Sequence, residues 1–85
     1  MKTHKQKAVS LRFPENFPAP FITASASGEL AERLIDIAKK ERIPIVKNGS
    51  LTEILSTVDV GTCIPEGTFE AVAKVFAFII EEGNL

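Results

Sequence analysis

Three prolines within seven residues, Pro14, Pro18 and Pro20, are the strongest constraint that this sequence places on its fold. Proline fixes its own φ angle, lacks a backbone N–H and disfavours the helical conformation in the residue before it. Residues 13–21 therefore cannot form a helix, and we expect them to run as an extended connection. This connection separates the first predicted strand from everything that follows it.

Three segments have the composition and periodicity of short strands. Residues 7–13 place an apolar side chain at every second position with polar residues between them, which is typical of a half-buried strand. Residues 21–26 predict a second strand that ends before Gly28. Residues 43–46, an Ile-Pro-Ile-Val run followed by an Asn-Gly pair, predict a third strand that is brief and buried.

Three helices are predicted after the second strand. Residues 29–42 repeat apolar side chains at helical spacing, with acids in the first turn and bases in the last, as the helix dipole favours. A capping box with Ser50 as N-cap and Glu53 as its partner opens a short second helix. Pro65 suits the first turn of the third helix. The predicted core face of that helix consists of Phe69, Val72, Ala73, Phe76, Ile79 and Ile80.

Two apolar residues of the last helix, Val75 and Phe78, fall outside this predicted face. Two interpretations are open. In the first, the helix lies across a sheet and also touches a neighbouring helix, so that both side chains pack within the domain. In the second, they form a partner-docking surface, because contiguous exposed apolar patches on small domains mark interaction sites.

Length sets the overall organisation. Eighty-five residues allow one small core and one domain. We predict an α/β fold with about three short strands in one mixed sheet and three helices packed around it, in the order β-β-α-β-α-α. Residues 1–6 are predicted to form a flexible basic arm, and residues 7–85 the folded domain.

Several kinds of site chemistry are disfavoured by the residues available. His4 is the only histidine and Cys63 the only cysteine, which excludes an internal disulfide and leaves no ligand set for zinc or another metal. The five glycines belong to no phosphate-binding loop. We therefore expect neither a cofactor nor enzymatic activity.

Charge and hydropathy limit the partners. Residues 13–85 hold 6 Lys or Arg against 11 Asp or Glu, so the folded body is a poor surface for nucleic acid. The longest apolar run has six residues, too few to cross a bilayer. We expect a cytoplasmic chain that binds no nucleic acid and does not insert directly into a membrane.

A set of short motifs occurs along the chain in a specific order, and each motif is weak by itself. They are KAVSLRF at 7–13, APFI at 19–22, AERLIDIA at 31–38, IPIV at 43–46, Leu51 with Leu55, Val60-Gly61 with Ile64-Pro65-Glu66, and AVA at 71–73 with Val75 and AFI at 77–79. This ordered set resembles the cytoplasmic C-terminal domain of the FlhB/YscU family over roughly residues 7–80.

The resemblance implies a component of the type III export apparatus, whose cytoplasmic domain receives export substrates and helps to switch export from rod and hook, or needle, proteins to later ones. Full-length relatives are membrane-bound. They cleave themselves within an Asn-Pro-Thr-His motif, which lies just before the strand that corresponds to residues 7–13 of this chain. The four motif positions here are Thr3, His4, Lys5 and Gln6. The cleavage requires an Asn-Pro bond, which this sequence lacks, so we expect no autocleavage.

The substrate-docking patch of the family corresponds, position by position, to Ala19, Pro20, Ala73 and Phe76. Phe76 is larger than the aliphatic residue usual at its position. Ala73 and Phe76 also lie on the predicted core face of the last helix, so burial in the core is an equally open interpretation. Glu53 stands where the family commonly has a basic residue, which reverses the charge of the short helix.

The resemblance therefore predicts a non-enzymatic, FlhB-like module of flagellar or type III export, a stand-alone counterpart of the domain after the cleavage site. It recognises export substrates or modulates the specificity switch. The expected partners are rod- or hook-type substrates and membrane-bound export proteins, including an FlhB paralogue. Two outcomes are open for the sheet edge at Lys7: the edge is short and tolerated, or another chain, such as that paralogue, adds a strand to it. The alternative is a structural or regulatory domain that forms homo-oligomers through Val75 and Phe78 and has no secretion role.

Overall fold

The computed structural model describes residues 6–82, and the predicted small α/β fold with three helices is confirmed. Residues 1–5, which make up nearly all of the predicted arm, lie outside the described part. The elements are the strands β1 (Lys7–Arg12) and β2 (Phe21–Ser27), the helices α1 (Glu29–Lys40), α2 (Gly49–Leu55) and α3 (Phe69–Glu81), and a 3-10 turn over Glu66–Thr68 that leads into α3.

β1 and β2 pair as antiparallel strands across the proline-containing connection. Their register shifts at a bulge between Ser10 and Leu11, and the hydroxyls of Ser10 and Thr23 lie 2.6 Å apart beside it. The N–H of Gly28 donates to the carbonyl of Gln6 at 2.7 Å, so the ladder begins one residue before β1. Gly28 then turns the chain into α1 with a φ of 66°, which favours glycine.

The predicted third strand at residues 43–46 is wrong, and so is the mixed three-stranded sheet. The sheet of the described residues has two antiparallel strands. Pro44 has no N–H to give to a ladder, and the N–H of Ile43 donates to the Ala38 carbonyl at 2.8 Å. The start of this segment is therefore tied to the end of α1 instead of a neighbouring strand.

Residues 61–64 take the place of a third strand beside β2. They make three backbone hydrogen bonds of 2.7–3.0 Å, two with Ile22 and one with the carbonyl of Pro20. Phe21 and Cys63 form an isolated antiparallel bridge in the same place. The start of the outer edge of β2 is thus covered by a loop that is too short to count as a strand.

The end of α1 has the geometry of a Schellman motif. The N–H of Arg42 donates to the Lys39 carbonyl at 3.2 Å, and the N–H of Ile43 to the Ala38 carbonyl at 2.8 Å. Arg42 has a φ of 60°, in the left-handed region where glycine is usual. The helix therefore ends at an arginine, which has a steric cost at this φ that glycine would not have.

The predicted capping box at the start of α2 is wrong. The N-cap is Asn48, whose side-chain oxygen accepts from the Leu51 N–H at 3.1 Å. Ser50 lies inside the helix. Glu53 instead forms an ion pair with Lys7 of β1 at 2.9 Å. Asn and Ser are similarly good caps, and Asn48 is the one that ends the extended segment.

The core lies between the sheet and helices α2 and α3. Ile22 and Val72 are its largest fully buried side chains, at 0% and 1% exposed. α1 contacts both strands, and its buried residue, Ala31, lies outside this core cluster. The other buried members of the cluster are Ala19, Leu51, Leu55 and Ile64.

The buried face of α3 is rotated from the predicted one. Val72 and Ile79 are buried as predicted, but Ala73 is exposed and Ile80 is 62% exposed. Val75, predicted to lie outside the face, packs against the core. The observed stripe is narrower than the apolar arc of the helix, because two strands and α2 cover only one side of it.

Candidate functional site

The first half of the predicted patch lies at the end of the proline connection. Ala19 is 5% exposed and belongs to the core cluster. Pro20 is also buried, and its carbonyl accepts the N–H of Ile64 at 2.9 Å. Both side chains are therefore buried in the described domain.

The second half of the patch lies on α3. Phe76 is half-buried and packs against the cluster that contains Ala19. Ala73, three residues earlier, is exposed. The structure thus brings Phe76 and Ala19 into one cluster and leaves Ala73, with the uncovered part of Phe76, as the accessible portion of the predicted patch.

A groove of about 430 Å³ lies on the other flank of α3, between this helix and the segment that precedes α2. Val75 and Phe78 line its α3 side, and Val46 lines the opposite side. Val75 also packs against the core, whereas Phe78 is 51% exposed. Sequence reasoning misses this groove because it assigns Val46 to a buried strand.

The outer edge of β1 carries backbone groups that point away from β2. Paired residues of an antiparallel ladder alternate between facing the partner and facing away. Since Gln6 bonds across to Gly28, Lys7 and Val9 face away, and so does Leu11 beyond the bulge. No backbone hydrogen bond joins this edge to another segment within residues 6–82.

Glu70 and Lys74 are charged side chains that line the groove, and the described residues form no metal-binding cluster. Within residues 6–82 no group of three or more His, Cys, Asp or Glu side chains is placed to hold a metal ion. Cys63 is half-buried, with its Sγ 3.7 Å from the carbonyl oxygen of Ala19. The motif positions Thr3, His4 and Lys5 lie outside the described residues. The surfaces therefore offer apolar packing, free backbone hydrogen-bonding groups and, in the groove, the charges of Glu70 and Lys74.

Comparison with known proteins decides the family. The sequence profile described as the FlhB HrpN YscU SpaS family matches residues 3–79. This chain belongs to the FlhB/YscU family. The resemblance predicted from the ordered motifs is confirmed, and flagellar biosynthesis, type III secretion and protein export are the processes of its relatives.

Two curated relatives differ greatly in length from each other. YlqH of Bacillus subtilis (strain 168) is 37% identical over 79 residues, covering 92% of this chain and 85% of that protein. The flagellar biosynthetic protein FlhB of Helicobacter pylori is 42% identical over 71 residues, covering 82% of this chain and 20% of that protein. This FlhB-like chain thus spans about a fifth of the flagellar relative.

The fold of this family member also matches solved structures. The cytoplasmic domain of FlhB from Shewanella putrefaciens superposes with a TM-score of 0.82 at 32% identity, over 87% of this chain and 63% of that one. No helix in residues 6–82 has the length and hydropathy needed to cross a bilayer. The match with FlhB thus extends over about two thirds of the crystallised cytoplasmic domain.

Proposed function

We propose that this FlhB-like chain is a non-enzymatic module of flagellar or type III protein export that recognises export substrates or modulates the switch between them. The family match over residues 3–79 carries the proposal. The likeness to the cytoplasmic domain of FlhB supports a place in the cytoplasm beside the membrane export apparatus.

The surface proposed to meet a rod- or hook-type substrate is the α3 flank that carries Ala73. Ala73 is exposed, and Phe76 beside it is half-buried. Ala19 is buried in the core cluster against which Phe76 packs, and Pro20 is also buried. An apolar side chain of the substrate would pack on Ala73 and on the uncovered part of Phe76, where the small alanine leaves room.

The proposed membrane-bound partner is an FlhB paralogue that adds a strand to β1. The outward backbone groups of Lys7, Val9 and Leu11 support this proposal, because an added strand gains affinity from main-chain hydrogen bonds. Removing the paralogue's N-terminal portion is expected to abolish its capture by this chain. Capture that persists without that portion would contradict strand addition at β1.

The substrate proposal is tested with Ala73→Asp, because this residue is exposed and the substitution leaves the core intact. A pull-down with purified rod or hook subunits is expected to lose at least about tenfold in affinity, or about 1.4 kcal/mol. Ser50→Asp, at an exposed position of α2, is the matched control and should leave capture unchanged. Undiminished capture by a folded Ala73→Asp variant would contradict the proposal.

Substitution of Pro20 is less informative, because this residue is buried and an aspartate there is expected to unfold the domain. Pro20→Asp would then report stability and not docking. The thermal midpoint of each variant is measured first for this reason. Only variants that melt like the parent chain are compared in the pull-down.

The alternative function is a domain that forms homo-oligomers through α3 without a secretion role. The 51% exposure of Phe78, at the edge of an apolar groove, favours a contact there. Light scattering and the pull-down together separate the two functions. A stable homo-oligomer that ignores rod and hook subunits supports the alternative, and a monomer that captures them supports the export module.

A further inference from the structure

We infer that the groove between α3 and residues 44–47 binds an extended strand of a partner protein, with side chains that follow the order basic, any, acidic, any, aliphatic. This site goes beyond the proposed function. At 3.6 residues per turn, Lys74 and Phe78 project about 100° and about 140° around α3 from Ala73, and Glu70 projects about 60° from it. The centre of the groove therefore lies on a different side of the helix from Ala73.

The backbone on one side of the groove is free. Residues 44–47 make no backbone hydrogen bond to any other described residue. Ile45 is 43% exposed, although residues 43–46 have the composition of a buried strand. A segment whose local preference disagrees with its observed state is typical of a functional site. Pairing with an incoming strand would satisfy both the backbone groups and this preference.

The α3 side of the groove carries two opposite charges. Glu70 and Lys74 are one helical turn apart, and both line the groove. Neither is ion-paired with another residue in the part of the chain that the structure describes, where the ion pair is Lys7 with Glu53. A partner segment with one base and one acid at the matching spacing would complement them.

The spacing of a strand fits this arrangement. Residues four apart in a helix rise about 6 Å, and residues two apart in a strand about 6.6 Å. A strand that runs along α3 therefore places three successive side chains of one face against Glu70, Lys74 and Phe78. Charge complementarity then requires a base, an acid and an aliphatic residue at alternate positions.

A second copy of this chain is a poor occupant. Its residues 39–43 have the required order of side chains, but they form the end of α1 and the Schellman motif and are not extended. The described residues of a second copy thus hold no extended segment with this order of side chains. The occupant is therefore an extended segment of another protein.

The test uses two synthetic peptides, one with the core Lys-Thr-Glu-Thr-Leu and one with the charge-swapped core Glu-Thr-Lys-Thr-Leu. Each is titrated into the ¹⁵N-labelled 85-residue chain and followed by NMR. The first peptide is expected to shift the amide signals of residues 45–47 and of the groove side of α3. It is expected to bind at least about tenfold more tightly than the second.

Charge-reversal variants test whether the rim of the groove, formed by Glu70 and Lys74, contacts the peptide. Glu70→Lys combined with Lys74→Glu is expected to invert the preference between the two peptides. Asp36→Lys combined with Lys40→Glu reverses a pair of the same spacing on α1, at exposed positions, and should leave the preference unchanged. Thermal melting verifies that both variants fold. If the rim variant does not fold, the comparison of the two peptides on the parent chain decides.

Equal affinity for the two peptides, no binding of either, or an unchanged preference in a folded rim variant would overturn the inference. A rim variant that changes self-association in light scattering would also overturn it, because the groove would then join copies of this chain. The peptides are not export substrates. Their failure therefore leaves the Ala73→Asp pull-down as an independent test of the proposed function.

Discussion

The Nζ of Lys7 lies 2.9 Å from the Oε1 of Glu53, which links the first residue of β1 to the middle of α2 across 46 positions of sequence. The Lys7 side chain is 35% exposed and that of Glu53 is 66% exposed. The glutamate that departs from the common family charge is therefore used here as a contact within the domain. The pair also lies at the start of the open β1 edge.

The first prediction is that this ion pair contributes little to stability. Glu53→Lys is expected to lower the free energy of unfolding by less than about 1 kcal/mol, because both groups are partly solvated. Lys7→Glu combined with Glu53→Lys should recover most of that loss. Urea denaturation at low and high salt measures the cycle. A coupling above about 2 kcal/mol that persists in high salt would contradict an exposed pair.

The second prediction separates the two candidate caps of α2. Asn48→Ala is expected to lower the free energy of unfolding by about 0.5–2 kcal/mol, because the Leu51 N–H loses its acceptor. Ser50→Ala, inside the helix, should change it by less than about 0.5 kcal/mol. Thermal and urea denaturation of both variants checks the difference. A larger loss of stability for Ser50→Ala than for Asn48→Ala would support the capping box and contradict Asn48 as the N-cap.

The third prediction concerns the size of the core. Ile22→Ala is expected to cost about 2–5 kcal/mol, because Ile22 is fully buried. Ile80→Ala, the matched change at a side chain that is 62% exposed, should cost less than about 0.5 kcal/mol. Small domains are stable by only about 5–15 kcal/mol. Far-UV circular dichroism should therefore show Ile22→Ala largely or wholly unfolded on mild heating, and Ile80→Ala folded.

The fourth prediction is a stabilising change at the end of α1. Arg42→Gly is expected to raise the free energy of unfolding by about 0.5–1 kcal/mol, because glycine adopts a positive φ without the steric cost that arginine has. Arg42→Val should lower it, since a branched side chain is strained further in this conformation. Urea denaturation of the three chains is expected to rank them Gly, Arg, Val.

The fifth prediction is that the purified chain stays intact. Cleavage of the family type needs an Asn-Pro bond, and the three asparagines here are followed by Phe17, Gly49 and Leu85. Intact-mass spectrometry is expected to show one species of about 9.2 kDa. Two complementary fragments that meet near residues 3–6 would contradict it.

The local elements of this fold are predictable from sequence, whereas their contacts are not. The helical spacing of residues 29–42 and the alternation of residues 7–13 act within one segment, and both elements form. The strand predicted at residues 43–46 fails because the Ile43 N–H is used by α1 and Pro44 offers none. That competition is settled by the neighbouring element and not by the segment itself.

The candidate patch illustrates the same limit. The family positions can be found by aligning motifs, but their exposure depends on residues distant in sequence. Ala19 and Pro20 are buried because residues 61–64 bond to the strand beside them. The rotation of α3 that exposes Ala73 and draws Val75 inward follows from how much sheet lies beneath the helix. The periodicity of the sequence shows which residues form the apolar side of α3, but it does not show which part of that side is buried.

The loop at residues 61–64 has a consequence for assembly. A sheet with two long free edges can grow in both directions and so form a fibre. Here residues 61–64 bond to the start of the β2 edge, at Pro20 and Ile22, whereas Lys7, Val9 and Leu11 of β1 stay open. The free part of the β2 edge is therefore shorter than the β1 edge, which favours strand addition at β1 and disfavours growth in both directions.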